Sequence, residues 1–230
     1  MTRRLDRKSD RKPDRKPEYD NENPWIEALK TLGVSAVLAF GLRAFVAEAR
    51  YIPSGSMMPT LQINDRLIVD KIGYRFQEPK RGDIVVFAPT KVLEQKNFRD
   101  AFIKRIIGLP GDIVAVRQGR VYVNERRLKE DYVAEAPDYE WGPVRVSEDS
   151  YLVLGDNRNN SYDSHCWGFV PRDRIIGRAI VRFWPLDRIG ELGSKPLYVP
   201  VESREIDPSA LPSPQTQLET VSGDRCSHNR

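Results

Sequence analysis

The chain has 230 residues, 40% of them hydrophobic and 30% charged, and its 37 Lys and Arg exceed its 33 Asp and Glu by a formal net charge of +4. That is enough for one medium-sized domain with a proper core and some appendages. The small basic excess is interleaved with acids along the chain, which argues against a nucleic-acid-binding protein.

Residues 1–23 read as a charged tail. A near-repeat runs from Asp6 to Asp20 with no apolar residue before Tyr19, so the tail is predicted to be solvated and disordered. Its eight Lys and Arg also suit a cytoplasmic flank, because the positive-inside rule counts bases and largely ignores acids. A helix is predicted over 24–49. Its uncharged stretch, Leu32 to Leu42, is only eleven residues long, which leaves three readings open. It is a membrane anchor, the apolar part of a cleaved signal with Ala47-Glu48-Ala49 as the cleavage site, or a buried soluble helix. Lys30 and Arg43 are thirteen residues apart; that is about 20 Å of helix, and with both side chains snorkelling outward the span approaches roughly 30 Å. An anchor is therefore feasible.

The segment from Pro53 to Leu61, PSGSMMPTL, reads first as a plain turn, because Ser-Gly-Ser is a common flexible linker. Pro53 and Pro59 frame it, however, and Gly55 permits an unusual backbone angle. Such a turn is able to hold Ser56 outward. Ser54 then brings a second hydroxyl close, which together with the Ser56 N–H would stabilise an oxyanion.

Beyond this turn, short runs rich in Val, Ile and Tyr recur between Gly and Pro, at 66–70, 83–87, 102–107, 113–116, 120–123, 151–154 and 178–184. No long amphipathic helix interrupts them, so residues 50–200 are predicted to form an antiparallel-sheet domain. Within it, 117–150 carries its own hairpin candidate and many charges and reads as an inserted subdomain. Strand alternation puts Lys104 on one face with Phe102 and Ile106, and Arg105 on the other with Ile103 and Ile107. Desolvation disfavours an ammonium in apolar surroundings, and a fall of roughly two to three units from about 10.4 leaves a neutral base near neutral pH. Most strand lysines instead lie near an edge or snorkel to water. Paired with Ser56, the amine suggests a serine nucleophile with a lysine base.

The stretch 155–168, GDNRNNSYDSHCWG, gathers the oxygen donors Asp156, Asn157, Asn159, Asn160 and Asp163. Counted from Asp156, Arg158 and Trp167 stand where a calcium loop needs a donor and a glutamate. No second Cys or His lies at zinc spacing from His165 and Cys166, so neither a metal nor another cofactor is predicted. The two cysteines, Cys166 and Cys226, permit at most one bridge; with Cys226 in the final few residues none is expected, and the compartment is not read from cysteine content. After Pro200 the chain is rich in Ser, Pro, Gln and Glu, and 201–230 is predicted to be a second disordered tail.

Four segments in this order, Pro53–Leu61, Arg81-Gly82-Asp83, Phe102–Asp112 and Gly155–Gly168, resemble the type I signal peptidases, also called leader peptidases. The resemblance implies a Ser/Lys dyad in which Ser56 attacks the scissile carbonyl, Lys104 takes its proton and an acyl-enzyme forms. It further implies that Ser161 orients the lysine amine, and that Ser54 and the Ser56 N–H make the oxyanion hole. Arg105 and Asp156 would form a supporting ion pair, with Asp163 as further support. Ile52, Met57 and Phe102 would line a shallow pocket for small residues before the cut, which agrees with the small-x-small rule of signal-peptide ends. Core packing is their plainer role, and Met57 and Met58 are alternatively placed to touch lipid.

The implied substrates are signal-peptide-bearing preproteins, lying extended beside a sheet edge, and the implied surroundings are a lipid bilayer. The resemblance favours the anchor reading: a single-pass protein, expected to be monomeric, with its catalytic domain on the non-cytoplasmic side of a plasma or thylakoid membrane. The fold class is accordingly mainly β, an antiparallel-sheet catalytic domain with one N-terminal transmembrane helix and disordered termini. One position departs from the family, since His165 stands where arginine is common. It supports a rival triad of Ser56, His165 and Asp163, although a histidine two places from its orienting aspartate needs unusual geometry. Two other classes remain: a membrane-tethered β-rich binding module without activity, and a self-cleaving serine and lysine regulator, which would normally be soluble and joined to a DNA-binding region.

Overall fold

A computed structural model describes residues 23–41, 47–193 and 197–198. Apart from Asn23, the two expected tails, 1–23 and 201–230, lie outside the described residues. The chain divides into two compact units, residues 1–40 and the rest from Gly41.

The first unit contributes helix α1, Pro24–Gly41. Proline suits the opening turn because its missing N–H would have no helical acceptor there. Asn23 caps it, its Oδ1 accepting from Trp25 N–H at 3.2 Å. Trp25, Leu29, Leu32, Val37 and Leu38 are each at least 67% exposed. Among the described residues no helix is long and apolar enough to cross a membrane.

The second unit runs β1 (Ala47–Tyr51), β2 (Arg66–Asp70), α2 (Gly73–Phe76), β3 (Ile84–Phe87), α3 (Lys91–Gln95), β4 (Phe102–Gly108), β5 (Ile113–Arg117), β6 (Arg120–Val123), β7 (Arg126–Lys129), β8 (Trp141–Arg145), β9 (Ser150–Leu154), α4 (Ser164–Trp167), β10 (Val170–Pro171), β11 (Ile175–Trp184), β12 (Gly190–Glu191) and β13 (Leu197–Tyr198). An eight-stranded antiparallel sheet has the order β1-β2-β11-β3-β4-β9-β10, with β12 added on β11. A five-stranded sheet has the order β13-β7-β6-β5-β8. The mainly β, antiparallel expectation is met.

Two boundaries differ from expectation, and two strands were not foreseen. The helix expected to reach residue 49 has given way to strand by Ala47, because Ala47 to Tyr51 pair with Asp70 to Arg66 of β2. A sequence such as Ala-Glu-Ala has little β-preference of its own, and the ladder supplies what propensity does not. Ala47-Glu48-Ala49 is thus part of a sheet. The insert expected at 117–150 starts earlier, at β5, and its core continues into the main sheet: Val114, Val121, Val123 and Leu128 bury one cluster with Ile107, Leu152 and Leu154. Strands β7 and β8 escaped sequence reading because β7, RRLK, buries only Leu128 and β8 contains Gly142 and Pro143. Proline is tolerated there because β8 is an edge strand, where a missing N–H breaks no ladder.

Alternation along the central strands divides the rest of the core. Val85 and Phe87 of β3, Ile106 of β4 and Tyr151 and Val153 of β9 join Leu93, Trp167 and Ile175 in one cluster. Ile84 belongs to another, with Ile52, Met57, Leu61, Leu67 and Ala179. Cys166 is disulfide-bonded, which corrects the expectation of no bridge. Its partner lies outside the described residues.

Candidate active site

The loop between β1 and β2 presents Ser56. Its base is closed by Ile52 N–H to Asp65 O and Asn64 N–H to Ile52 O, both 2.9 Å. Ile52, Met57 and Leu61 are driven into the core, at 2%, 1% and 0% exposure, and burying three such side chains stabilises this loop by roughly 1.5–3 kcal/mol each. Anchored on both sides of the serine, the turn has little freedom to move it.

The acceptor site for this loop is created where a ladder stops. Lys104 sits opposite Val85 of β3, while on its other side β9 ends at Leu154, opposite Arg105. The chain turns away at Gly155, and Ser56 fills the place beside Lys104. A β-carbon on Gly155 would lie 2.2 Å from Ser161 Oγ and 2.4 Å from Ser56 O, so only glycine allows this approach. Asn157 ties the two segments together: its N–H donates to Ser56 O and its Nδ2 to Gly55 O, both at 3.1 Å.

Lys104 Nζ stands 2.8 Å from Ser56 Oγ and donates to Ile103 O at 2.9 Å. Its side chain is buried and passes the Phe102 ring, 5.8 Å from Nζ to the centroid. Burial pushes the amine from 10.5 down to about 8, while Asp163 and Asp156 keep it from falling further. About one molecule in ten then carries a neutral amine one pH unit below that value. Ser54 Oγ lies 3.4 Å from Ser56 Oγ.

Arg105 points to the opposite face and is fully buried against Asp156, with Nε to Oδ1 at 2.8 Å and Nη2 to Oδ2 at 2.7 Å. This is a bidentate pair in which neither charge is left unpaired. Arg105 Nη1 donates to Gly82 O at 2.9 Å. Gly82 has φ 91°, a left-handed conformation that explains the glycine of the Arg81-Gly82-Asp83 turn. Thr60 Oγ1 donates to Asp156 Oδ2 at 2.5 Å, and the Arg105 guanidinium lies 3.9 Å over the Tyr132 ring.

Asp163 caps α4 and is also fully buried. Its Oδ2 accepts from Gly155 N–H at 2.8 Å, and its Oδ1 pairs with His165 Nδ1 at 2.7 Å. Burial pushes this carboxyl up, but the His165 bond and charge and the Gly155 N–H outweigh it and hold it below the usual range. Ser161 is close enough to help in this, yet its Oγ is buried with no hydrogen bond of good geometry. The amine's second bond therefore goes to Ile103 O, where Ser161 was the sequence expectation. His165 is not bonded to Ser56. Its Nε2 faces Cys166 Sγ at 3.2 Å, and its ring stacks on Tyr139 at 4.5 Å, so the rival triad is not assembled.

Phe102, half-buried, stacks on Phe87 at 5.8 Å and meets Phe98 edge-on at 5.4 Å. Met58 is 41% exposed. Sequence reading did not single out the parts played by Gly155, Asn157, Thr60 and Tyr132. The signal available for Gly155 was a glycine at the end of a strand, which marks a close backbone approach. Among the described residues no cluster of three His, Cys, Asp or Glu is arranged to hold a metal.

The family described as signal peptidase, peptidase S26, matches residues 25–184. The chain belongs to this family. It is a protein-cleaving hydrolase of the signal peptidase I kind, similar over 204 residues to "Probable signal peptidase I-2" of Synechocystis sp., at 61% identity across 89% of this chain and 92% of that one. "Signal peptidase I" of Leptolyngbya laminosa is 63% identical over 179 residues, 77% of this chain and 88% of its own. "Probable thylakoidal processing peptidase 2, chloroplastic" of Arabidopsis thaliana is 39% identical over 180 residues, 74% of this chain and 49% of its own. The segments that this peptidase uses to build the Ser56–Lys104 contact all fall within the matched span.

Proposed function

We propose that this peptidase removes N-terminal signal peptides from exported preproteins with Ser56 as nucleophile and neutral Lys104 as general base. The observation that carries the proposal is the 2.8 Å approach of a buried amine to the serine hydroxyl. The Lys104 lone pair takes the Ser56 proton as Oγ bonds to the scissile carbonyl carbon. The resulting oxyanion is held by the Ser56 N–H and the Ser54 hydroxyl. As the C–N bond breaks, the Lys104 ammonium returns the proton to the departing amine, leaving the signal peptide as an ester on Ser56. Water, activated by the same amine, then hydrolyses this acyl-enzyme. Asp163, Ser161 and the Arg105–Asp156 pair hold the frame, and Ile52, Met57 and Phe102 back the pocket that takes the small residues before the cut.

The segment from Pro24 to the start of β1 is the membrane anchor in this proposal, with the basic tail cytoplasmic and the catalytic domain on the far side of a plasma or thylakoid membrane. The outward Trp25, Leu29, Leu32, Val37 and Leu38 support it, since large exposed apolar side chains seek lipid or a partner, and the one charged pair of the helix, Glu27 with Lys30, lies toward its N-terminal end. An 18-residue helix is about 27 Å long, close to the hydrocarbon thickness.

The test is incubation of detergent-solubilised protein with a preprotein. Wild type releases the signal peptide, and Ser56→Ala and Lys104→Ala do not; cleavage by either variant overturns the dyad. Alkaline extraction of membranes tests the anchor, and a soluble product beginning at Arg50, just after Ala47-Glu48-Ala49, overturns it.

A further inference from the structure

A second buried ion pair joins the five-stranded sheet to the active-site loop. Glu130 follows β7 directly, and its carboxylate accepts from Arg158 Nη1 at 2.9 Å and Nη2 at 2.7 Å. The side chains are 1% and 9% exposed for Arg158 and Glu130. The remaining nitrogen of the guanidinium, Nε, donates to Gly155 O at 3.0 Å. Gly155 N–H donates to Asp163 Oδ2 at 2.8 Å. The glycine against which the nucleophile packs is therefore gripped on both sides, once by Asp163 and once by Glu130 through Arg158. Tyr132 strengthens the second grip: its hydroxyl donates to Glu130 Oε1 at 2.7 Å, and burial, together with Glu130, raises its pKa above the normal phenol range. The same Tyr132 ring lies under Arg105, so one turn of the second sheet touches both arginines that brace the site.

We infer that Glu130 is a positioning residue for the nucleophile, acting from the second sheet through Arg158 on the Gly155 peptide. The inference rests on the Ser56–Lys104 reading above. Gly155 has no slack toward the serine, as its missing β-carbon would meet Ser56 O; any rotation of its peptide is passed to the Ser56 backbone and so to the Oγ–Nζ distance. The insert is thus a brace for catalysis as well as a packed subdomain.

The experiment compares kcat and KM of the full chain on a preprotein for Glu130→Gln, Tyr132→Phe and Glu130→Ala, well below each variant's unfolding temperature. Glutamine keeps the volume but turns an amide N–H toward a guanidinium N–H, so the fork is broken without a cavity. Misplacing a reacting atom by a fraction of an ångström to one ångström costs about tenfold to a hundredfold. Glu130→Gln is expected to lower kcat by about tenfold or more with KM unchanged, and Tyr132→Phe to lower it less, in the same direction. Asp131→Asn, which breaks only the exposed Lys129–Asp131 pair, leaves kcat unchanged. If Glu130→Gln and Tyr132→Phe both keep the wild-type kcat, whatever their melting temperature, the positioning role is overturned. Should Glu130→Ala not fold, those two variants decide the matter. Ser56→Ala in parallel separates the two readings, since cleavage by that variant refutes the dyad, whereas an inactive Ser56→Ala beside a fully active Glu130→Gln refutes only the role of Glu130.

Discussion

Replacing Lys104 by methionine removes the base but keeps a flexible side chain of similar length, and it should produce a protein that is dead and more stable. In the fold the amine titrates at about 8 instead of 10.5. The difference of 2.5 units corresponds to about 3 kcal/mol of lost solvation at 1.36 kcal/mol per unit. The folded pKa lies below the unfolded one, so the unfolded chain holds the extra proton between the two values. The penalty is absent above about pH 10.5, grows as pH falls, and is complete below about pH 8. At about pH 7 Lys104→Met should therefore gain up to about 3 kcal/mol over wild type, a rise of about 6 to 12 °C in Tm for a chain of this size. That gain should shrink toward zero as the buffer approaches about pH 10.5. Thermal unfolding of both proteins across that range, in the same detergent, measures it. The companion assay is the pH dependence of preprotein cleavage by wild type, which should rise about tenfold per unit and level off near pH 8. A profile that levels off near the ordinary lysine value refutes the reasoning. So does a Lys104→Met protein that is no more stable than wild type at neutral pH.

His165→Ala should retain cleavage within a fewfold of wild type in a gel-based preprotein assay, because its ring bonds Asp163 and stacks on Tyr139 without reaching Ser56. Loss of activity with folding intact would revive the triad. Gly155→Ala must push the Ser56 backbone away, since its β-carbon would lie 2.4 Å from Ser56 O; acylation by an active-site-directed probe should slow about a hundredfold. Wild-type acylation would show the loop to be slack. Asp156→Ala leaves the fully buried Arg105 uncompensated and should cost about 3–5 kcal/mol in denaturant unfolding, whereas Asp131→Ala at the surface should cost less than about 1 kcal/mol.

Local chemistry was readable wherever one segment sufficed to define it. The β-branched runs at 83–87 and 102–107 announce central strands, and both are there, because a buried strand must be apolar wherever it faces the core. The turn around Ser56 was legible from Pro53, Gly55 and Pro59. The end of the N-terminal helix was not, since Ala47 becomes a strand only by pairing with Asp70. The grip on Gly155 was also hidden: Glu130 and Arg158 are 28 residues apart in sequence and meet only after the second sheet has packed on the first.

By itself the amino-acid order determined which groups are present and which face each one takes along its own strand, a matter of covalent geometry and a two-residue period. Putting Ser56 within 2.8 Å of Lys104, choosing Ile103 O over Ser161 as the amine's second partner, and turning His165 toward Cys166 were decisions of the tertiary structure. Each depends on how far apart two distant segments come to rest, and on how much water is left between them, quantities that no single stretch of chain contains.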